Sequence, residues 1–160
     1  MDNLVRVSQR HVKEYRDMWL ANGWGCAICA QPFTQADYAV VDHDHDTGVI
    51  RGCLHNTCNR AEGEMTSFAK RVAKQDYRQW LINLGIQVSK GKAASRVVHR
   101  IAKFTHKGVT VNAYLIGLAN YLHYHATPRC RMIHPTHRFP NEGGNVKKTN
   151  PRFRKFRRKR

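Results

Sequence analysis

The sequence predicts an α+β fold that is mostly α, in which a short β-hairpin and the helix after it form the core. A Val-rich run and a second run with apolar residues, on either side of an Asp-Thr-Gly turn, predict the hairpin, and stretches with apolar residues at helical spacing predict flanking helices. A final run of Lys and Arg without acidic residues predicts a basic C-terminal tail. The 160 residues suffice for one domain, or for one small domain with appendages.

The first predicted helix covers residues 12–22 and ends at Gly23, a residue that favours the C-terminal stop of a helix. The residues along one side of it are Tyr15, Met18, Trp19 and Asn22. Residues 23–33 predict a knuckle-like turn, in which Pro32 excludes a helix.

The predicted hairpin has its first strand at residues 38–43, its turn at residues 46–48 and its returning strand at residues 49–54. A Val-rich run followed by a Gly-containing turn and a second run with apolar residues is typical of paired strands. The next helix begins near Asn56 and runs through Met65.

Three later stretches carry apolar residues at helical spacing, namely residues 68–84, 89–108 and 109–125. We predict one amphipathic helix in the first of these stretches and another in the last. Beyond Pro128 the chain is rich in Pro and Gly, so we expect it to lose regular structure there.

The charge of the chain points to a polyanionic partner. There are 28 Lys and Arg against 11 Asp and Glu, which gives a net charge of +17 and excludes an ordinary neutral metabolic enzyme. Nine of these cations lie in residues 147–160, and subtracting them leaves +8 for the preceding 146 residues. No run of 18 apolar residues exists, so we expect no membrane span. The N-terminus lacks the pattern of a secretory signal.

Two Cys-containing half-sites predict a structural zinc ion. Cys26-x-x-Cys29 supplies two thiolates, and His55-x-x-Cys58 follows after 25 intervening residues. Together they make a Cys₃His set, which is a complete tetrahedral zinc shell. The two halves bracket the hairpin, so one ion would staple its base. The alternative is a group of reduced, unligated cysteines or a redox pair.

The two other cysteines are weaker candidates. Cys53 competes with His55 as the third ligand, but it falls on a strand beside apolar neighbours, and we predict a small core residue. Cys130 lies near His134 and His137, which makes a second metal cluster conceivable. Histidines in a basic, Pro-rich segment more often contact phosphate or solvent.

A run of titratable residues, Val41-Asp42-His43-Asp44-His45, stands between the half-sites. On an extended strand Asp42 and Asp44 share one face, and His43 and His45 share the other. This places a carboxylate able to hold a hard cation beside an imidazole able to accept a proton from water. Asn59 offers an amide oxygen suited to Mg²⁺. The alternatives are a solvated turn or a second zinc site.

These motifs resemble the phage recombination endonuclease VII family, which belongs to the HNH or ββα-metal (His-Me finger) nucleases. The residues that carry the resemblance are Cys26-x-x-Cys29, Val41-Asp42-His43-Asp44-His45, Gly48, Arg51-Gly52, Cys58-Asn59 and Glu62-Gly63. They lie within residues 10–66. A weaker echo follows at Asn120-Tyr121-Leu122 and Ile133-His134-Pro135. Residues 67–110 and the tail carry no match.

The resemblance implies a role for each matching residue. His43 becomes the general base, and Asp42 and Asn59 become ligands of a single catalytic Mg²⁺, which Mn²⁺ could replace. The implied structural zinc ligands are Cys26, Cys29, His55 and Cys58. The chain departs from the family at position 55, where the family usually has Cys. Support from Asp44, His45 and Glu62, through orientation of the base or contact with phosphate, is also implied.

The predicted function is therefore a Mg²⁺-dependent DNA endonuclease that hydrolyses phosphodiester bonds in branched or otherwise structured DNA. One alternative is a free-standing HNH homing or nicking enzyme that uses residues 89–160 to recognise a sequence. The other is a non-catalytic, zinc-containing nucleic-acid-binding protein.

The resemblance also implies a homodimer, and a phage protein that acts in the cytoplasm of the host bacterial cell. The domain prediction assigns residues 1–66 to a zinc-bound ββα-metal nuclease module. Residues 67–137 are assigned to a helical region for dimerisation or DNA binding, and residues 138–160 to a flexible basic tail.

Overall fold

The structure is a computed structural model that describes residues 4–74, 76–92, 108–127 and 129–138. The elements in these ranges are β1 (Val5–Arg6), α1 (Gln9–Ala21), β2 (Ala39–His43), β3 (Ile50–His55), α2 (Asn56–Val72), α3 (Tyr77–Ser89), α4 (Val111–Tyr124) and β4 (Met132–Ile133). The described part is mixed α and β and mostly helical, as the sequence predicts. The helical pattern within residues 93–107 and the basic tail from residue 139 onward lie outside the described residues.

The predicted hairpin is confirmed as the antiparallel pair β2–β3. Its register pairs Ala39 with His55 and Asp42 with Gly52, and it shifts by one residue between Asp42 and His43. Gly48 closes the turn with φ +75, and a Cβ atom at this position would overlap the ring of His137. Both requirements explain a glycine here.

Helix α2 follows β3 without a connecting loop, so strand, strand and helix form one continuous unit. A side chain from the preceding loop caps the start of this helix: Asp37 accepts hydrogen bonds from the backbone N–H of Thr57, at 3.1 Å, and from the hydroxyl of Thr57. These bonds satisfy donors that a helix N-terminus leaves open, and they tie α2 to the loop before β2.

Helix α1 begins at Gln9, three residues before the predicted start. Ser8 caps it by accepting a hydrogen bond from the backbone N–H of His11. The polar first turn has no apolar periodicity, and for this reason the hydrophobic pattern alone placed the start too late. The indole of Trp19 donates to the carbonyl of Gly25 at 3.0 Å, which fixes the turn after the helix.

The single helix predicted over residues 68–84 is wrong, because α2 ends at Val72 and α3 begins at Tyr77. Asp76 explains the break, since its side chain accepts from the backbone N–H of Arg78 at 2.8 Å and caps a new helix. Apolar spacing continues across the interruption and so conceals it. The predicted boundary at residue 66 falls inside α2, and the domain division stays a prediction.

The helix predicted over residues 109–125 is confirmed as α4, which packs on α3 and on the loop that holds Cys26 and Cys29. Gly117 permits the contact with this loop, because a Cβ atom there would overlap the carbonyl of Ile28. The shared core includes the buried side chains of Leu54, Met65, Leu81, Tyr114 and Leu118. None of the described helices is long and apolar enough to cross a membrane.

The expected loss of regular structure beyond Pro128 is wrong for residues 132–133. Met132 and Ile133 form β4, which pairs in parallel with β1. Ile133 also bridges to Val49, and the backbone N–H of His134 donates to the carbonyl of Gly48 at 2.9 Å. A two-residue strand has no visible periodicity, and its partner lies more than 120 residues away. The segment after α4 thus lies against the turn of the hairpin.

Candidate functional site

The predicted Cys and His half-sites meet at the base of the hairpin. One ligand atom from each of the four residues lies within 4.8 Å of the others, in the group Cys26, Cys29, His55 and Cys58. Cys26 and Cys29 come from the loop before β2, His55 ends β3, and Cys58 lies in the first turn of α2. The group is almost entirely buried. It could bind a zinc ion, in keeping with a structural metal.

The orientation of His55 suits a metal ligand. Its Nε2 lies 3.0 Å from the carbonyl of Pro32. A carbonyl only accepts, so Nε2 carries the proton and donates. Its Nδ1 faces the sulfur of Cys29 at 3.4 Å and that of Cys58 at 4.0 Å, so Nδ1 is the atom that would bind a metal. A backbone carbonyl that fixes the tautomer in this way is common at histidine ligands of metals.

The sulfur atoms favour a thiolate within this group. Contacts from Cys29 and then Cys58 hold the pKa of Cys26 well below its usual range, because both thiols donate to its sulfur. Cys53 differs, since burial raises the pKa of its thiol to about 12. It is fully buried and lies outside the group, which confirms the prediction of a core residue.

Cys130 does not build a second metal cluster with its neighbouring histidines. Its sulfur accepts a hydrogen bond from the backbone N–H of Met132 at 3.4 Å. Throughout the ranges given above, the four-residue group is the one set of three or more Cys, His, Asp or Glu side chains with ligand atoms this close.

A second buried cluster surrounds Asp42. The guanidinium of Arg51 donates from Nε to Asp42 Oδ2 at 2.7 Å and from Nη2 to Glu62 Oε1 at 3.2 Å. The hydroxyl of Tyr121 on α4 donates to the same Asp42 oxygen at 2.5 Å. Asp42 and Glu62 are each 2% exposed. Burying carboxylates is costly unless they are paired, and Arg51 provides the pairing for both.

The charges of this cluster depend on one another. Burial opposes the charge of Arg51, but Asp42, Tyr121 and Glu62 together outweigh it and hold the pKa of Arg51 above its usual range. Burial raises the pKa of Glu62, and the positive charge of Arg51 acts against this rise. Removing the guanidinium would leave two acids without their common partner.

Histidine rings gather on the other face of the same strand. The ring of His43 stacks on that of His134 with centroids 4.5 Å apart, and lies 5.1 Å from the ring of His45 and 6.3 Å from that of His137. Asp42 and Asp44 both face Arg51, with Asp44 Oδ2 4.0 Å from its Nη1. The acids and the histidines thus make separate contacts, as predicted, although β2 ends at His43 and Asp44 and His45 lie in the turn after it.

His43 is neutral at physiological pH. Burial lowers its pKa to about 4, and the nearby His134 adds to the lowering. His134 is held through Nδ1, which lies 2.8 Å from the hydroxyl of Thr136. A half-buried neutral imidazole can accept a proton.

Asp44 stabilises the turn that follows β2. Its Oδ1 accepts from the backbone N–H groups of Asp46 and Thr47, both at 2.9 Å, and its Oδ2 lies 2.8 Å from Arg78 Nη2. Burial acts to raise the pKa of Asp44, but the backbone bonds from Thr47 and Asp46 and the charges of Arg78 and Arg51 together outweigh it and lower the pKa. His45 is exposed at the same turn.

Asn59 is half-buried in α2, one residue after Cys58, and the described hydrogen bonds do not join it to Asp42. Arg51 and Tyr121 contact the predicted site and have no role in the sequence prediction, although both lie within the motifs of the resemblance, which are the available signal. His134 and His137 also lie against His43, and the sequence suggests them only as ligands of a second metal or as contacts to phosphate or solvent.

Comparison with known proteins agrees with these features. The sequence profile described as Recombination endonuclease VII matches residues 2–85, which include both half-sites, the hairpin and α2. The Gene 59 protein of Mycobacterium phage L5 is 38% identical over 47 residues, and the matched stretch spans 29% of this chain and 29% of that protein. No solved structure matches. The family profile covers more than half of the residues, and the chain belongs to the recombination endonuclease VII family.

Proposed function

We propose that this protein is a Mg²⁺-dependent DNA endonuclease in which His43 acts as the general base. One observation carries the proposal: on β2, a neutral, half-buried imidazole follows a buried carboxylate. The Cys and His cluster holds the base of this hairpin against α2. Family membership supports DNA as the substrate. The net charge of +17 agrees with a partner of high negative charge.

His43 would take the proton of the attacking water. A pKa of about 4 keeps the ring neutral, but such a ring is a weak base. A bound phosphodiester places a negative charge nearby, and an opposite charge favours the protonated form of an imidazole. Substrate binding would therefore raise the pKa of His43 toward the working pH and make the proton transfer more favourable.

Asp42 and Asn59 would hold the catalytic cation. Carboxylate and amide oxygens are the hard ligands that Mg²⁺ prefers, so the donor chemistry fits. Both described hydrogen bonds to Asp42 fall on Oδ2, which leaves Oδ1 as the oxygen for a cation. When bound, Mg²⁺ neutralises the charge that builds on the phosphate and the leaving oxygen. Mn²⁺ would serve as a substitute for Mg²⁺ at this position. Arg51 and Tyr121 would hold the carboxylate in place.

The Cys and His group would hold zinc as a scaffold. Four protein ligands complete a tetrahedral shell and leave no position for a reacting water. The ion would join the loop before β2 to the start of α2. Asp44, His45 and Glu62 would support catalysis by orienting the base, His43, or by contacting phosphate.

The proposed substrate is branched or otherwise structured DNA, cut by a homodimer in the cytoplasm of the host cell. A sequence-recognising HNH homing or nicking enzyme is the alternative within the same chemistry. Cleavage of a branched and a linear substrate with the same sequence separates the two, because recognition by shape spares the linear DNA.

The test is cleavage of supercoiled plasmid and of a four-way junction with added Mg²⁺. His43→Ala should cut at least about 100-fold more slowly, since general bases contribute at least this factor. His123→Ala removes an exposed imidazole from α4 and is the matched control. We expect His43→Ala to bind DNA as the wild type does when Ca²⁺ replaces Mg²⁺. A wild type that cuts neither substrate would favour the non-catalytic zinc-containing binding protein.

A further inference from the structure

An aromatic groove lies outside the residues assigned to catalysis. It has a volume of about 760 Å³ and runs between α1, the turn after α1, and the C-terminal end of α4. Six of its lining residues carry aromatic rings, namely Tyr15, Trp19, Trp24, Tyr121, Tyr124 and His125. The volume falls in the range of roughly 300–1,000 Å³ that is typical of pockets for small organic ligands.

Two of the lining rings, those of Trp24 and Tyr124, are about half exposed. Trp24 meets Trp19 edge to face at 5.0 Å and is 50% exposed. Tyr124 is 56% exposed, and the guanidinium of Arg129 lies 4.1 Å from its ring centroid. Exposed aromatic faces beside an arginine are the combination with which proteins stack unpaired bases.

The floor of the groove connects it to the candidate catalytic residues. Arg51 and Tyr121 line the groove, and both donate to the carboxylate of Asp42. A molecule in the groove would therefore be separated from Asp42 by a single side chain, that of Arg51 or Tyr121. No acidic residue is found among the described lining residues, whereas Arg51 and Arg129 are cationic.

His125 adds a further aromatic ring to the lining of the groove. Burial lowers its pKa to about 4, with a further contribution from the charge of Arg51. Its ring contacts those of Tyr121 and Tyr124 at 4.7 and 4.9 Å. The ring is therefore neutral at physiological pH and adds aromatic surface without a buried charge. A flat, electron-rich ligand attached to a polyanion matches this lining.

We propose that the groove binds an unstacked nucleobase of the DNA substrate, with Trp24 and Tyr124 as stacking faces and Arg129 beside the adjoining phosphate. The proposal rests on the proposed function for its choice of DNA. It defines the substrate class as DNA with an unpaired or extruded base near the cleavage position. Every base offers a π face, so the groove selects for an unpaired state and not for a sequence.

The test uses the full chain and a duplex with one bulged 2-aminopurine, with Ca²⁺ in place of Mg²⁺ and no chelator. Stacking in the groove should quench the fluorescence of the 2-aminopurine. Trp24→Ala and Tyr124→Ala should each weaken binding of the bulged duplex about fivefold or more, since alanine substitution at a stacking ring has effects of this size. Binding of the fully paired duplex should change less than about twofold.

Tyr38→Ala is the matched control, because Tyr38 is 53% exposed and does not line the groove. It should leave both affinities unchanged. Tyr124→Phe keeps the ring and should bind the bulged duplex as the wild type does. Circular dichroism and zinc content identify any variant that has lost its fold. If Trp24→Ala or Tyr124→Ala is unfolded, the binding comparison uses the other variant alone.

Two results would overturn the proposal, namely unchanged fluorescence on binding and an equal loss of affinity for bulged and paired duplexes. If the fluorescence is unchanged and Trp24→Ala or Tyr124→Ala also dissociates a dimer, a second copy of the chain fills the groove instead. Absence of cleavage together with selective quenching would contradict the nuclease proposal and leave the groove assignment intact.

Discussion

The two ends of the β2–β3 hairpin are held by different chemistry. At the end that carries His55, sulfur and imidazole nitrogen atoms converge in a group suited to a soft metal. Near the other end, carboxylates meet a guanidinium and a phenol around Asp42. Both clusters are buried, but the described partners of the first are sulfur and nitrogen atoms that would share an ion, whereas Asp42 and Glu62 in the second already share the guanidinium of Arg51.

The difference is also one of distance along the chain. The metal-binding group comes from two short motifs, each with two residues between its ligands. The cluster around Asp42 draws Tyr121 from 79 residues away, and Asp44 pairs with Arg78 from 34 residues away. One end of the hairpin is thus assembled largely by local spacing, and the other by the packing of α3 and α4.

The largest expected effect is at the metal end. Cys58→Ser should lose zinc and, with it, the folded state, because a structural ion contributes folding free energy directly. Elemental analysis should find about one zinc per chain in the wild type and much less in the variant. Circular dichroism should show loss of the helices.

Cys53→Ala is the control for replacing a buried cysteine, since Cys53 lies outside the metal-binding group. It leaves a small cavity but should keep its zinc. A Cys58→Ser variant that is as stable as the wild type would contradict the role of a metal at this end.

Two tyrosines on α4 allow a direct comparison of the ends. Tyr114 donates its hydroxyl proton to the backbone carbonyl of Cys58 at 3.1 Å, whereas Tyr121 donates to the carboxylate of Asp42 at 2.5 Å. Both rings are buried. Tyr121→Phe should reduce the free energy of unfolding by about 1.5–3 kcal/mol, and Tyr114→Phe by about 0.5–1.5 kcal/mol, because bonds to charged groups are stronger.

Denaturant unfolding of the two variants at pH 7 measures the difference, with zinc content checked in each. Losses of equal size would mean that the carboxylate at Asp42 is no more dependent on its donor than an ordinary carbonyl. A larger loss for Tyr114→Phe would reverse the comparison and make the metal end the more sensitive of the two.

The sequence was sufficient wherever partners follow one another closely. The half-sites, the hairpin and the helix after it follow from ligand spacing, strand patterning and a turn at residues 46–48. The pairing of β4 with β1 could not be predicted from the sequence, because two residues carry no periodicity and the pairing depends on tertiary packing. The break at Asp76 was missed since a single capping side chain overrides an uninterrupted apolar pattern.

The candidate site divides in the same way. Asp42, His43, Asn59 and the four metal ligands were proposed from motifs, and the metal ligands do converge. The partners of Asp42 could not be found from spacing, because a basic residue on a neighbouring strand and a tyrosine on a distant helix meet it only in the folded chain. The sequence therefore predicted the proposed catalytic and metal-binding residues better than the residues that hold them in place.

The smallest expected effect is a dependence of stability on pH at His125, next to the cluster around Asp42. The pKa of His125 is about 4 in the folded protein, against about 6.5 for an unperturbed imidazole. Its pKa is lowered on folding, so its neutral ring contributes stability that is complete above pH 6.5 and is lost as the pH falls toward 4. The charged groups around it are Arg51, Asp42, Arg129 and Asp44.

His125→Asn should therefore lose less stability than the wild type between pH 6.5 and pH 4.5. The ring is only partly buried, and solvent screening keeps the difference below about 1 kcal/mol. His123→Asn removes an exposed imidazole from the same helix and serves as the control. Protonation of the metal ligands lowers the stability of all three proteins alike, so the quantity to compare is the difference between them. Parallel curves for the wild type and His125→Asn would show that burial of this ring carries no stability.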